Sequence, residues 1–204
     1  MSPQTRHVSG YWRRHSAATL RWLHIYLSMA SFMALLFFAV TGITLNHASW
    51  FDSIPPQTRT TQNHIPTTWL QTETPKELQI VEHLRSTHHI HGALSEFFTD
   101  DEQCRLSFRG PGYIADASID RTTGEYELAE TRMGLVAILN DLHKGRDTGP
   151  AWSLVIDASA ILMIVVSLTG LTLLYFLKRR RITGTLVTIA GSIAFLLLYY
   201  LLVP

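Results

Sequence analysis

Apolar residues dominate the chain from Leu20 to Leu45, from Trp152 to about Leu177, and again at Thr183–Val203. Each run is long enough to cross a hydrocarbon layer of ~30 Å at ~1.5 Å per helical residue. The pattern predicts spans at 18–49, 151–178 and 183–203, behind a polar, basic tail at 1–17. Between the first two spans the period changes. Ser53-Ile54-Pro55-Pro56 and the Thr/Gln-rich stretch to Thr68 read as a linker. Thr74 offers an N-cap for a helix that begins near Pro75-Lys76-Glu77 and carries Leu78, Val81, Leu84 and Arg85 to about His88. Cys104–Phe108, Ala115–Ile119 and Glu125–Ala129 alternate as strands around turns at Gly110-Pro111-Gly112 and Asp120–Gly124. A last amphipathic helix, Met133–His143, carries Leu135, Ile138, Leu139 and Leu142 on one side and ends before Gly149-Pro150. The fold class predicted is a three-span α-helical integral membrane protein with an extracytoplasmic α+β domain at 50–150, including an interfacial helix at 133–145.

Charge orients this plan. Arg13, Arg14 and Arg21 flank the first span and Lys178-Arg179-Arg180-Arg181 follows the second, while the net charge is only +1. Basic residues mark segments kept in the cytoplasm, so the N-terminus and the 178–181 loop are expected inside, and residues 50–150 and the C-terminus outside. The first run is about twice the length of a ~7–15-residue signal-peptide core and reads as a retained anchor. Asp100, Asp101, Glu102, Asp120, Glu125, Glu127 and Glu130 make the outer segment mildly acidic. The basic residues are accounted for as membrane anchors, so a nucleic-acid surface is not expected. Cys104 is the only cysteine, which excludes an internal disulfide and C-x-x-C-H haem attachment. No catalytic triad, phosphate loop, dinucleotide fingerprint or H-E-x-x-H motif occurs, and three spans with one embedded acid, Asp157, make a poor transport pathway.

Ten histidines in 204 residues supply the candidate chemistry. His24 lies just inside the cytoplasmic edge of the first span and His47 at its outer edge, 23 residues or ~35 Å further along a straight helix. His143 precedes the second span on the outer side. Two neutral imidazoles from different elements at one depth can ligate a b-type haem, and His47 with His143 meets that requirement on paper. The alternative is that these are interfacial side chains reaching to headgroups. His24 has no matching histidine at its depth, so a haem there needs a second subunit across a two-fold axis; otherwise it caps the interface beside Trp22 and Tyr26. Thr41-Gly42-Ile43-Thr44-Leu45 and Thr169-Gly170-Leu171-Thr172-Leu173 repeat a motif whose glycine admits a backbone or a flat macrocycle. On this reading Gly42 goes with His47 and Gly170 with His24. Asp157, near Asn46 in depth, is expected either at the headgroups or with Lys144 or Arg146. His83, His88, His89 and His91 read as a fortuitous cluster, with outer-face metal contact as the minority reading.

The segments LRWLHIYLSMASFMALLFFAVTGITL, ASIDRTTGEYE and LNDLHKGRDTGPAWSLVIDASAILMIVVSLTGLTLLYFLKRRR together resemble PepSY-associated transmembrane proteins, over nearly the whole chain. The resemblance implies a short, single-domain version of a family whose larger members have more spans and two outer domains. Some members look like haem-containing inner-membrane reductases of siderophore systems, and others accompany flavin-bearing electron-transfer proteins. The expected function is therefore a membrane redox subunit, possible as an electron-transfer enzyme component, that holds haem b and works with a protein redox partner or a second copy. The rival expectation is a non-catalytic anchored subunit whose outer domain binds a partner or inhibits a peptidase, the idea behind the family name. The expected location is the bacterial inner membrane, multi-pass and lipid-embedded, with the main domain periplasmic.

Overall fold

A computed structural model describes residues 3–51, 55–71, 75–177 and 179–204, with side chains from residue 14 onward. The expected cap Thr74, the linker residues Ser53 and Ile54, the basic residue Lys178 and the Arg13 side chain lie outside the described residues. The chain forms two compact units, one of Met1–Leu36 with Asp157–Pro204 and the other of Phe37–Ile156.

The first unit is built from parts of two helices, whose remaining turns belong to the second, and a third helix in full. Helix α1, Pro3–Asn46, takes in the segment expected as a polar tail. Helix α4 spans Gly149–Phe176 and α5 Arg181–Leu202. All three are long and apolar enough to cross a membrane, with mean hydropathies of 2.0, 2.3 and 2.1. Leucine, isoleucine and phenylalanine side chains line their exposed surfaces, as expected of helices solvated by lipid tails. This is a multi-pass membrane protein. The α4–α5 turn is tight: Arg181 N–H donates to Leu177 O at 3.0 Å and Gly184 N–H to Arg180 O at 2.8 Å. A Cβ on Gly184 would meet Leu174 Cδ1 at 2.4 Å, so a side chain there would have to displace Leu174.

The second unit carries a five-stranded antiparallel sheet in the order β1-β5-β4-β3-β2. The strands are β1 Gln57–His64, β2 Ala93–Thr99, β3 Gln103–Gly110, β4 Tyr113–Asp120 and β5 Glu125–Arg132. Helix α2, Glu77–His88, covers one face: Ile80, Val81 and Leu84 pack on Leu106, Phe108, Ala117, Ile119 and Leu128. Full burial of Ile80 or Leu84 contributes ~1.5–3 kcal/mol each. Strand β5 shows why these residues form a sheet, since its buried and exposed positions alternate and place Tyr126, Leu128 and Glu130 inward. Two turns fix the register. Pro111-Gly112 joins the paired Gly110 and Tyr113, Gly112 at φ +62°. Asp120 Oδ1 accepts from the amides of Thr122 and Thr123, both at 2.8 Å, before Gly124 at φ +77°; both glycines take the left-handed conformation that other residues resist.

Two expectations need correction. Gln57–His64 is an edge strand rather than a linker, paired along its length with Glu125–Arg132. Ala93–Thr99 is a second strand that the sequence pattern did not mark, interrupted by a register shift between Leu94 and Glu96. Helix α3, Leu135–Lys144, matches the expected amphipathic helix and ends at Gly145, φ +69°. The Gly149-Pro150 break separates α3 from α4, with Pro150 in the first turn of α4, where its missing N–H costs nothing.

Candidate functional site

Helix α3 is held on several sides. Asn140 and His143, three residues apart and so on one face, both meet α1: Thr44 Oγ1 donates to Asn140 Oδ1 at 2.7 Å, and His143 Nδ1 lies 2.6 Å from Thr41 Oγ1. The rungs run antiparallel, 140 to 44 and 143 to 41. Thr41 is 2% exposed. The His143 ring stands edge-on to Phe38 at 5.1 Å, and a Cβ on Gly42 would lie 3.8 Å from its Cε1. Asp141 points elsewhere. Its carboxylate, buried to 4% exposure, accepts Gly112 N–H at 2.9 Å and Arg146 Nε–H at 2.9 Å, with Arg146 Nη2 also in contact. Trp152 Nε1–H caps the Leu142 carbonyl at 2.8 Å and its ring meets Phe37 edge-on.

The membrane unit repeats the arrangement. His24 Nδ1 lies 2.9 Å from Thr169 Oγ1, and a Cβ on Gly170 would approach His24 Cε1 to 3.1 Å. In both units, then, a histidine from one helix seats on the Thr-Gly pair that opens a T-G-x-T-L segment of another. Each motif glycine makes room for an imidazole.

Each hydroxyl has one hydrogen to give. Thr41 Oγ1 lies 2.6 Å from both Phe37 O and His143 Nδ1, and Thr169 Oγ1 lies 2.9 Å from both Val166 O and His24 Nδ1. With its hydrogen on the helix carbonyl the hydroxyl accepts from the histidine, whose Nδ1 then carries the proton. A neutral ring of this tautomer has its lone pair on Nε2. Among the described residues each ring hydrogen-bonds only through Nδ1. Neither Nε2 is sealed inside the protein, because Arg85 Nε is the only buried, unpartnered side-chain nitrogen or oxygen among the described residues.

The other candidates fall differently. His47 Nδ1 donates to Ile43 O at 3.1 Å and its ring lies on Trp50, centroids 4.1 Å apart. The structure does not bring His47 and His143 together: His143 sits at Phe38, Thr41 and Gly42, one to two turns earlier on α1. Gly42 accordingly goes with His143 rather than His47, whereas Gly170 does go with His24. Trp22 and Tyr26 stack on each other at 4.9 Å while His24 turns to Thr169. Asp157 is exposed, and Arg146, one of its expected partners, is taken by Asp141 because the left-handed Gly145 folds the chain back over α3. Among the described residues no group of three or more histidine, cysteine or acidic side chains could hold a metal. His88 instead bonds Tyr126 OH through Nε2 at 2.7 Å, His83 meets Trp69 edge-on, and His89 takes the left-handed C-cap of α2 at φ 54°. Burial holds His88 below its usual value of 6.5, opposed by the nearby Glu130 carboxylate. Burial likewise raises Tyr113, helped by its hydrogen bond to Glu130 at 2.7 Å.

The sheet face away from α2 is an open groove of about 1100 Å³. Phe98, Arg105, Ser118, Glu127 and Gln62 form one row across its strands. Among the described residues the ion pairs are Arg85–Glu82 and Arg146–Asp141, and neither lies in this row. Sequence reading missed Thr41 and Thr169 as histidine partners, although the repeated T-G-x-T-L segment was their signal.

The family model described as PepSY_TM-like matches residues 18–204. No curated protein and no solved structure matches the chain. The match runs through all three spans, the sheet domain and both Thr-Gly segments, and the chain belongs to the PepSY_TM-like family.

Proposed function

We propose that this chain is a membrane redox subunit that binds b-type haem through Nε2 of His143 and of His24. On this reading it relays electrons at or across the bacterial inner membrane. The supporting observation is the threonine hydroxyl held against each Nδ1. A histidine that ligates iron through Nε2 needs Nδ1–H held by an acceptor, and this outer hydrogen bond is the usual companion of a ligating imidazole. A lone pair left unsatisfied beside lipid is costly, which favours an electron-pair acceptor at Nε2. The donor set fits haem: neutral imidazole is a common axial ligand. Bound haem would supply reversible one-electron chemistry. The protein's own part is to orient the two rings and to keep their Nδ1 protons in place. His47 has the same tautomer but sits at the helix end beside Trp50, where water or a headgroup can serve its Nε2. Each clasp supplies one histidine, so a second axial ligand would come from another copy or a redox partner. The arginines at 179–181 support a cytoplasmic loop and hence a periplasmic sheet domain. A flavoprotein or a metal-siderophore is the class of partner proposed for it.

The second reading, an anchored subunit whose outer domain binds a protein, is favoured by the open, charged sheet face with its Arg105 and Glu127. An optical spectrum of the detergent-purified protein separates the two. Sharp reduced b-type bands that fall in His143→Ala and His24→Ala support the redox subunit. A colourless protein that takes up no haem on reconstitution overturns it in favour of partner binding.

A further inference from the structure

We infer that Thr41 and Thr169 are positioning residues that set the tautomer of His143 and His24 and aim each Nε2 lone pair out of the protein. The inference deepens the haem reading and rests on it only for the identity of the acceptor at Nε2. Both threonines use one geometry. The hydroxyl donates back to its own helix, from Thr41 to Phe37 O at 2.6 Å and from Thr169 to Val166 O at 2.9 Å. Its oxygen then faces Nδ1 of a histidine 102 or 145 residues away in the chain. A threonine whose hydrogen is committed cannot donate to Nδ1, so it selects the Nδ1–H ring. In free histidine the proton can sit on either nitrogen, and that choice is removed here twice. Both threonines are buried, Thr41 at 2% and Thr169 at 7% exposure, so water cannot easily replace the oxygen. The following glycine, Gly42 or Gly170, admits the ring edge and fixes its plane. The second threonine of each motif faces no histidine: Thr44 reaches Thr41 O at 2.9 Å and Asn140 Oδ1 at 2.7 Å, and Thr172 bonds back to Leu168 O.

The test is 15N NMR of histidine-labelled, haem-free protein in detergent, paired with haem titration. In the wild type, His24 and His143 are expected as Nδ1–H rings. Thr41→Val should move His143 towards the Nε2–H ring, and Thr169→Val should do the same for His24. Haem affinity should fall ~10–100-fold, the usual cost of losing such an outer hydrogen bond. Thr41→Ser and Thr169→Ser should restore both readouts, which separates positioning from a folding defect, and Thr44→Val should leave both tautomers alone. Wild-type rings protonated on Nε2, or valine variants with unchanged rings, overturn the inference whatever the haem result. A wild type with Nδ1–H rings that binds no haem overturns the redox reading while the positioning role stands.

Discussion

Asp141 accepts the backbone N–H of Gly112 at 2.9 Å, a bond by which α3 holds the turn between β3 and β4. The bond is buried, and its loss would leave an amide without an acceptor. Asp141→Ala should therefore destabilise the sheet domain by about 1–3 kcal/mol. Hydrogen exchange at Gly112 should accelerate well beyond that of the sheet amides. Unchanged protection at Gly112 would show that another group serves it.

Gly112 itself should not tolerate a side chain. It combines φ +62° with a Cβ position 2.4 Å from Ile138 Cγ1. The left-handed backbone alone costs a residue with a Cβ about 1–2 kcal/mol, and the clash adds to it. Gly112→Ala should lower the thermal midpoint of the sheet domain more than Gly191→Ala does, since nothing lies within 4 Å of a Cβ at Gly191.

The two motif glycines should respond unequally. A Cβ on Gly42 would make ordinary contact with His143 at 3.8 Å, whereas one on Gly170 would press His24 at 3.1 Å. Gly170→Ala should displace the His24 ring and weaken any ligand of its Nε2, with Gly42→Ala close to wild type at His143. Histidine NMR shifts of the two variants make the comparison, and equal perturbation would contradict it.

Acid should loosen the sheet domain through His88. Its folded pKa lies below the unfolded value of 6.5 because burial disfavours the charged ring. The unfolded chain thus binds the proton first as pH falls. The stability His88 contributes is whole above about pH 6.5 and is lost as pH drops through its folded pKa. His88→Gln should flatten the dependence of the melting temperature on pH between about 7 and 5. A slope as steep as the wild type would assign the effect elsewhere.

Much of this fold was legible in the sequence, for reasons that particular elements make plain. The spans are unbroken apolar runs of membrane length, while α2, α3 and strands β3 to β5 bury one face, and burial of one face imposes a period. Strand β1 escaped notice because it lies at the sheet edge, where Thr61 is its only partly buried residue and no apolar alternation is required. Strand β2 was hidden by the register shift at Leu94/Glu96, which breaks the period of two. Histidine was visible as candidate chemistry, but its partners were not. The residues that hold His24 and His143 lie 145 and 102 positions away, and spacing along a chain carries no information about contacts between separate helices.

Helix α3 serves two neighbours from one turn. Its Asp141 grips the Pro111-Gly112 tip, while the neighbouring Asn140 and His143 grip Thr44 and Thr41 on the Phe37–Asn46 end of α1. The hairpin tip and the seat of the His143 imidazole therefore share a single support.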